Sequence, residues 1–260
     1  MRKLNILIAG STGYIGVQLV KILLKHPNVE IKYLCGNTSV GKNISKSIYG
    51  LSEIVGKKIK NYKIVACPGC YPTSILLPLI PLIKKNFILG TNIIIDSKSG
   101  YSGAGRGVHR KYSKKNLYES LSAYGIGVHR HNSEIDQEIS KVCKKKFELS
   151  FTPHLTPMFR GILSTIYVNI PKNKTPLSIY NFLKKNYKNK NFIKFAKFDM
   201  PISTNDVINT NNCLISVCKS KYKNKLIILS AIDNLIKGGS GQAVQNMNIF
   251  YDFPEYRGLN

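Results

Sequence analysis

At 260 residues the chain is long enough to bury a sizeable core, as one large domain or two smaller ones, and its 43% hydrophobic and 10% aromatic content is that of a globular protein. The formal charge of +26 raises the question of a polyanion partner. The excess is almost all scattered lysine, accompanied by many Asn and Ile, without the clustered basic and aromatic face of a nucleic-acid binder.

Leu4 to Ala9 reads as a strand buried on both faces, Gly10 to Gly16 as a turn, and Val17 to Leu24 as a helix that stops at His26-Pro27. The apolar start is shorter than a signal-peptide core and runs straight into a glycine motif, so the expectation is a cytoplasmic protein. Six cysteines in that setting point to reduced thiols. Ile31 to Leu34 is the second strand, and together these elements make one βαβ unit, the opening of a doubly wound fold. Gly10, Gly13 and Gly16 let backbone N–H groups approach a pyrophosphate at the helix N-terminus, and Ser11 and Thr12 add hydroxyl donors. The same spacing also serves a tight turn with no ligand. The second strand ends in Cys35-Gly36-Asn37-Thr38-Ser39 and then Lys42. An uncharged, hydroxyl-rich end followed by a cation suits a 2′-phosphate better than a free ribose diol, which favours NADP.

From Val40 to Tyr62 the chain is rich in Lys, Asn, Ser and Gly, with no clear second βαβ unit. A strand then leads into "ACPGCYPT". The long uncharged run from Ile64 to Ile83 is interrupted by Pro68, Pro72, Pro78 and Pro81, so it reads as strand, turn and helix (Thr73 to Lys85) and not as a membrane span. Cys67 and Cys70 allow several chemistries. A zinc site needs two more ligands, and Cys213 and Cys218 are too loosely spaced to supply a standard second pair. A redox dithiol calls for a thioredoxin-like context, which is absent. A nucleophile at Cys70 sits between strand and helix, where the helix dipole is expected to lower a thiol pKa from about 8.5 toward about 7 or below. A buried structural cysteine is the remaining reading.

Further on, strands are expected at Asn92 to Ser97, Glu148 to Leu155, Ile162 to Ile170, Cys213 to Ser220 and Lys225 to Ile232. Helices are expected at Ser133 to Lys145, Leu177 to Lys188 and about Gly241 to Phe250. Few helices between many strands indicate an α+β domain on a mixed or antiparallel sheet. The loop "SKSGYSGAGR" ends in Arg106 and can present backbone donors to a phosphate, unless it is simply a surface loop. In "GVHRHNSEI", His129 suits general acid/base work and Arg130 an anion contact, with His131 and Glu134 nearby. His26, His109 and His154 read as core or surface residues. Arg106, Arg110, Arg130 and Arg160, four of the six arginines, lie in or beside these motifs, where a planar fork can grip carboxylate or phosphate.

In this order the segments resemble the N-acetyl-gamma-glutamyl-phosphate reductases, relatives of aspartate-semialdehyde dehydrogenase. "GSTGYIG" looks like the cofactor loop, "PGCYPTS" the nucleophile turn, "SKSGYSGAGR" the substrate loop and "GVHRHNSEI" the His-Arg-His segment; "FTPHLTPMFRGIL" and "DNLIKGGSGQAVQNMN" complete the set. The resemblance implies an α/β fold with a shortened Rossmann-type domain over 1–66, an α+β catalytic and oligomerisation domain over 67–232, and a returning turn and helix over 233–260. It implies NADPH-dependent reduction of an acyl phosphate in arginine biosynthesis, with Cys70 as nucleophile and His129 as acid/base. Ser99, Arg106, Arg130, Glu134 and Arg160 become the substrate contacts. Gly10, Ser11, Thr12, Gly13, Tyr14, Ile15, Gly16, Thr38, Ser39, Asn234, Lys237 and Gly238 become the NADP(H) contacts. No metal is implied, and the partners are a small-molecule substrate and further copies of the chain in a dimer or tetramer, with neither membrane nor nucleic acid. Two alternatives stay open: a carrier-linked aminoadipyl phosphate of lysine synthesis as substrate, or an impaired remnant acting as a binding protein. The chain departs from the family's pattern at Cys67, usually Asn or another non-thiol residue, and at Ser133, usually Pro. Between Ser45 and Tyr49 it jumps directly to the family's "YGL.E" segment, omitting part of the nucleotide domain.

Overall fold

The structure, a computed structural model, describes residues 3–9, 14–35, 47–105, 119–143 and 147–259. Strand β1 (Leu4–Ala9), helix α1 (Tyr14–Leu24) and parallel strand β2 (Val29–Cys35) form the expected βαβ unit. Helix α1 starts earlier than the apolar spacing indicated, with Gly16 buried in its first turn. Its last turn closes through Lys25 N–H to Ile22 O and His26 N–H to Leu23 O, just ahead of Pro27. A second parallel pair, β3 (Ser47–Tyr49) and β4 (Ile64–Ala66), brackets α2 (Ser52–Val55) and a 3-10 turn. Strand β3 is three residues long in a lysine- and asparagine-rich stretch, too short to show a period.

A seven-stranded mixed sheet carries the rest, in the order β6-β7-β5-β8-β11-β10-β9. Its strands are β5 (Ile93–Gly100), β6 (Ser122–Ala123), β7 (Leu149–Thr156), β8 (Ile162–Asn169), β9 (Ile193–Phe195), β10 (Cys213–Lys219) and β11 (Lys225–Ile232). The β5–β7 and β9–β10 pairs are parallel; the rest are antiparallel. The main core joins α3 (Cys70–Lys84), α4 (His131–Ser140) and α5 (Pro176–Asn186) to one face of this sheet, through residues such as Ile75, Leu79, Ile135, Ile179, Ile95, Ile166 and Ile228. Period-two alternation leaves Ile94 and Tyr167 exposed on strands whose neighbours Ile93, Ile95, Ile166 and Val168 are buried.

Helix α3 is buried continuously from Tyr71 to Ile83, which is why it reads as an apolar run without an amphipathic stripe. Pro81 in its interior cannot donate to the Leu77 carbonyl. The hydroxyl of buried Tyr187, just beyond α5, donates there instead at 2.6 Å. After β11 the chain makes a π-helical turn (Ile236–Ser240) and enters α6 (Gly241–Phe250), where a turn and helix were expected. A smaller cluster, including Ile8, Ile22, Val29, Ile236 and Val244, holds the βαβ unit against this C-terminal segment. No helix among the described residues is long and apolar enough to cross a membrane.

Candidate active site

Cys70 is the first residue of α3, and Gly69 before it is extended at φ −66°, ψ 161°. Two distant elements hold this turn. Glu134 on α4 accepts the Gly69 N–H at 2.7 Å and the Tyr49 hydroxyl at 2.6 Å through the same oxygen. A Cβ on Gly69 would lie 2.5 Å from His131 Nε2, and a Cβ on Gly238 would lie 2.7 Å from the Cβ of Cys70. Glycine at both positions lets the imidazole and the π turn close on the cysteine from two sides.

The electrostatics differ from the sequence expectation. Burial pushes the Cys70 thiol up to about 11, although the backbone N–H groups of Tyr71 and Cys70 and the Arg130 guanidinium act to lower it; Glu134 adds to the rise. A helix buried along its whole length costs the thiolate more hydration than its N-terminus returns. Cys67 faces elsewhere: its sulfur lies 3.7 Å from Asn246 Nδ2 on α6, and burial raises its pKa as well.

Around the cysteine, Tyr71, Tyr124, His129, His131 and Phe151 form an aromatic cluster, with the two imidazoles 4.8 Å apart between centroids. The His131 N–H donates to His129 Nδ1 at 3.1 Å, which places the proton of a neutral His129 on Nε2. Burial, then His129 and Arg130, lowers His131 to about 3, so it stays neutral at ordinary pH. Burial and Arg130 lower His129 too. The Tyr124 hydroxyl donates to that of Tyr71, which reaches the His154 carbonyl at 3.3 Å; burial pushes the Tyr71 phenol far up. Ser99, buried at the end of β5, donates its hydroxyl to the Gly100 carbonyl at 3.0 Å.

Arg160 stands with Nε 2.9 Å from Asp233 Oδ2 and donates from Nη1 to Asn209 Oδ1 at 2.5 Å. Asp233, fully buried, accepts the backbone N–H groups of Asn209, Leu235 and Ile236. Asn234 accepts the Gly161 N–H at 2.7 Å and donates to Ser102 Oγ at 3.0 Å. Gly161 has φ +106°, a conformation that favours glycine. Residues 233 and 234 therefore tie the loops at 99–105 and 158–161 to the π turn. Lys237, expected at the cofactor, is completely buried, with Nζ 2.6 Å from Glu53 Oε1 and 2.8 Å from Gln245 Oε1.

The nucleotide side approaches the same turn. A Cβ on Gly239 would be 3.2 Å from Ile15 Cδ1, and the Tyr14 ring stands edge-on to Phe159 at 5.5 Å. The start of α1 thus reaches one side of the 238–239 turn and Cys70 the other, with only glycine between. Gly10, Ser11, Thr12, Gly13, Thr38, Ser39, Arg106, His109 and Arg110 lie outside the described residues.

The structure brings Cys70, Glu134 and Gly238 together, sets exposed Arg130 beside them and His129 against the ring of Tyr71, the residue after Cys70, and places Ser99 at the end of β5 with Arg160 and Asn234 in the adjoining turns. The sequence reading assigned no role to His131, Tyr71, Tyr124, Asp233 or Glu53. His131 and Tyr71 stood inside motifs that had already been singled out, and Asp233 precedes Asn234 as an Asx-turn former. For Glu53 nothing local marks its partner 184 positions away.

A βαβ unit delivering its helix N-terminus to a cysteine on a mixed-sheet domain defines a semialdehyde-dehydrogenase architecture. The chain belongs to the semialdehyde dehydrogenase family: residues 5–70 match its NAD binding domain and residues 70–234 its dimerisation domain. The N-acetyl-gamma-glutamyl-phosphate reductase of Thermoanaerobacter pseudethanolicus is 36% identical over 334 aligned positions, covering 97% of each protein. That of Alkaliphilus metalliredigens is 47% identical over 83% of this chain and 62% of its own length. A probable chloroplastic N-acetyl-gamma-glutamyl-phosphate reductase of Arabidopsis thaliana is 46% identical over 82% of this chain. The chain spans about half of that relative's length, 53%. The 334 aligned positions exceed the 260 residues of this chain, so the Thermoanaerobacter protein has internal residues without a counterpart here, in keeping with the expected gap. Among solved structures, aspartate semialdehyde dehydrogenase II of Vibrio cholerae, complexed with ASA, superimposes with a TM-score of 0.70 at 14% identity, covering 97% of this chain and 99% of that one. A probable aspartate-semialdehyde dehydrogenase of Pseudomonas aeruginosa gives 0.71 at 12% identity, covering 96% and 99%. At such identities these structures establish the fold alone.

Proposed function

We propose that this chain is an NADPH-dependent reductase that converts N-acetyl-gamma-glutamyl phosphate to N-acetylglutamate 5-semialdehyde and phosphate through a thioester on Cys70, a step of arginine biosynthesis. The observation that carries the reading is the closure of His131 and Gly238 on the turn that holds Cys70, in a chain whose relatives bear this enzyme's name.

In the free chain the thiol is protonated and both imidazoles are neutral, so activation belongs to the substrate complex. A phosphate dianion near Arg130 raises the proton affinity of His131, the imidazole whose Nε2 lies against the cysteine turn, and fits it to take the Cys70 proton. The sulfur then bonds to the acyl carbon, the carbon–oxygen bond to phosphate breaks, and phosphate leaves. His129, which carries its proton on Nε2 because Nδ1 accepts the His131 backbone N–H, is the acid/base expected from the sequence: it gives that proton to the carbonyl oxygen as the thiohemiacetal forms and takes it back as the carbon–sulfur bond breaks, releasing the aldehyde and the Cys70 thiolate. When bound, reduced nicotinamide supplies hydride to the thioester carbonyl. Gly10, Ser11, Thr12, Gly13, Tyr14, Ile15 and Gly16 hold the pyrophosphate end, Thr38 and Ser39 accommodate the 2′-phosphate, and Asn234 and Gly238 back the nicotinamide. Ser99, Arg106 and Arg130 contact the substrate, while Glu134 and Arg160 fix the loops that carry it. Residues 1–66 act as the nucleotide unit, 67–232 as the catalytic and oligomerisation unit, and 233–260 as the return; a second copy covers the sheet face that exposes Ile94 and Tyr167.

The test is phosphate-dependent reduction of NADP by the purified chain with N-acetylglutamate semialdehyde, beside Cys70→Ala. Turnover in the wild type and none in Cys70→Ala is expected. A folded wild type without turnover overturns the activity and leaves a binding role, whereas equal rates in both proteins overturn the assignment of Cys70.

A further inference from the structure

We propose that Glu53 is a positioning residue for the nucleophile: its buried ion pair with Lys237 keeps the π turn, and with it Gly238, seated against Cys70. The inference rests on the reductase reading above and deepens it.

Glu53 lies in α2, within the segment that matches the NAD binding domain, and Lys237 lies in the turn 236–240. Both side chains are wholly enclosed. With Gln245 of α6 they form a closed triangle: Lys237 Nζ donates to Glu53 Oε1 at 2.6 Å and to Gln245 Oε1 at 2.8 Å, and Gln245 Nε2 donates to Glu53 Oε1 at 2.9 Å. Asn211 Nδ2 braces Gln245 at 3.2 Å, and the Lys237 ammonium stands 5.7 Å from the centroid of Phe192. Burial pushes the Glu53 carboxyl up, and the Lys237 ammonium with the hydrogen bonds from Lys237 and Gln245 outweighs it, leaving the pKa below the ordinary value.

A buried ion pair is poor evidence for stability, because apolar residues of similar volume often serve as well or better. Glu53 is an especially costly example, since its Oε2 is enclosed with no partner among the described residues. Its location carries the reason for it. The next residue after Lys237 meets the Cβ of Cys70, and the one after that meets Ile15 on the nucleotide side. The turn is π-helical, with Gly238 N–H bonded to Asp233 O and Ser240 N–H to Leu235 O, so it lacks the regular α-helical ladder. Asp233 anchors its start to Arg160; the Glu53 pair anchors its middle.

The experiment uses the full chain carrying Glu53→Gln, and a second variant, Glu53→Gln with Lys237→Met, which leaves no uncompensated buried charge. Melting temperature, kcat, KM for the acyl phosphate and the rate of iodoacetamide labelling at Cys70, read by peptide mass spectrometry, are compared with the wild type. In the folded double variant kcat falls about tenfold to a hundredfold with KM nearly unchanged. Labelling of Cys70 at fixed pH rises about tenfold as Gly238 ceases to shield it. A folded double variant with wild-type kcat and labelling overturns the proposal, as does a double variant that fails to fold, because the pair is then structural alone. Labelling needs no turnover, so an inactive wild type counts against the reductase reading while the labelling rates still decide the role of Glu53.

Discussion

The chain makes two strand–glycine–helix turns, β1 into α1 and β4 into α3, and secures them very differently. At the second, Glu134 holds the Gly69 N–H, His131 and Gly238 close on the cysteine, and the helix that follows is buried from Tyr71 to Ile83. At the first, α1 buries only Gly16, Ile22 and Leu23, and among the described residues β1 pairs with β2 alone, with Leu7 58% exposed. Parallel strands depend on cover from both faces and on neighbours at both edges. The comparison teaches that the cysteine turn is fixed by several distant elements, whereas the described part of the NAD-binding segment is a two-stranded unit that packs on the C-terminal turn and helix.

The most severe way to break the well-secured turn is to fill its gap. Gly238→Ala puts a methyl group 2.7 Å from the Cys70 Cβ, and if Cys70 is the proposed nucleophile, activity falls by about a hundredfold or more through its displacement by a fraction of an ångström to about 1 Å. Steady-state rates on protein of unchanged circular dichroism check it. Glu134→Ala comes next, because the Gly69 N–H loses its acceptor in a partly buried site; a loss of about 1–3 kcal/mol of stability is expected in urea titration. Retained stability would mean that the turn is held by packing alone.

The pH response sharpens the comparison further. Neutral, buried His131 has a folded pKa of about 3, against about 6.5 when unfolded. Its contribution to stability is whole above pH about 6.5 and is lost as pH falls from there toward about 3, since only the unfolded chain binds the proton readily. Replacing His131 by Asn should flatten that acid limb, measured as the melting temperature against pH. Cys70, raised to about 11, shows the opposite limb: alkylation of the free chain should keep accelerating with pH to about 11 instead of levelling near 9. The smallest effect concerns the lightly covered turn. Amide exchange in β1 and β2 should outpace that in β8 and β11, whose amides lie in the middle of a seven-stranded sheet.

Much of this arrangement can be read along the chain because it follows local period and punctuation. Strands β5, β7, β8, β10 and β11 and helices α3, α5 and α6 follow apolar spacing punctuated by Gly and Pro, whereas α4, largely polar, ends at Ser140 and not at the expected Lys145. Strands β3, β6 and β9 have two or three residues each and owe their existence to neighbours, so no window of sequence reveals them. The candidate site divides in the same way. Cys70, His129 and Arg130 sit in compact motifs, but the raised thiol pKa depends on how deeply α3 is covered, and the partnership of Glu53 with Lys237 exists only after the ends of the chain have met.

The Leu77 carbonyl, left without a helical donor by Pro81 and served by the Tyr187 hydroxyl, also constrains how the sequence can vary. With Pro81 in place, Tyr187→Phe strands a buried acceptor; with an N–H donor at 81, the hydroxyl becomes dispensable. Positions 81 and 187 are therefore epistatic, and among homologues a phenylalanine at 187 should accompany loss of the proline far more often than chance pairing allows.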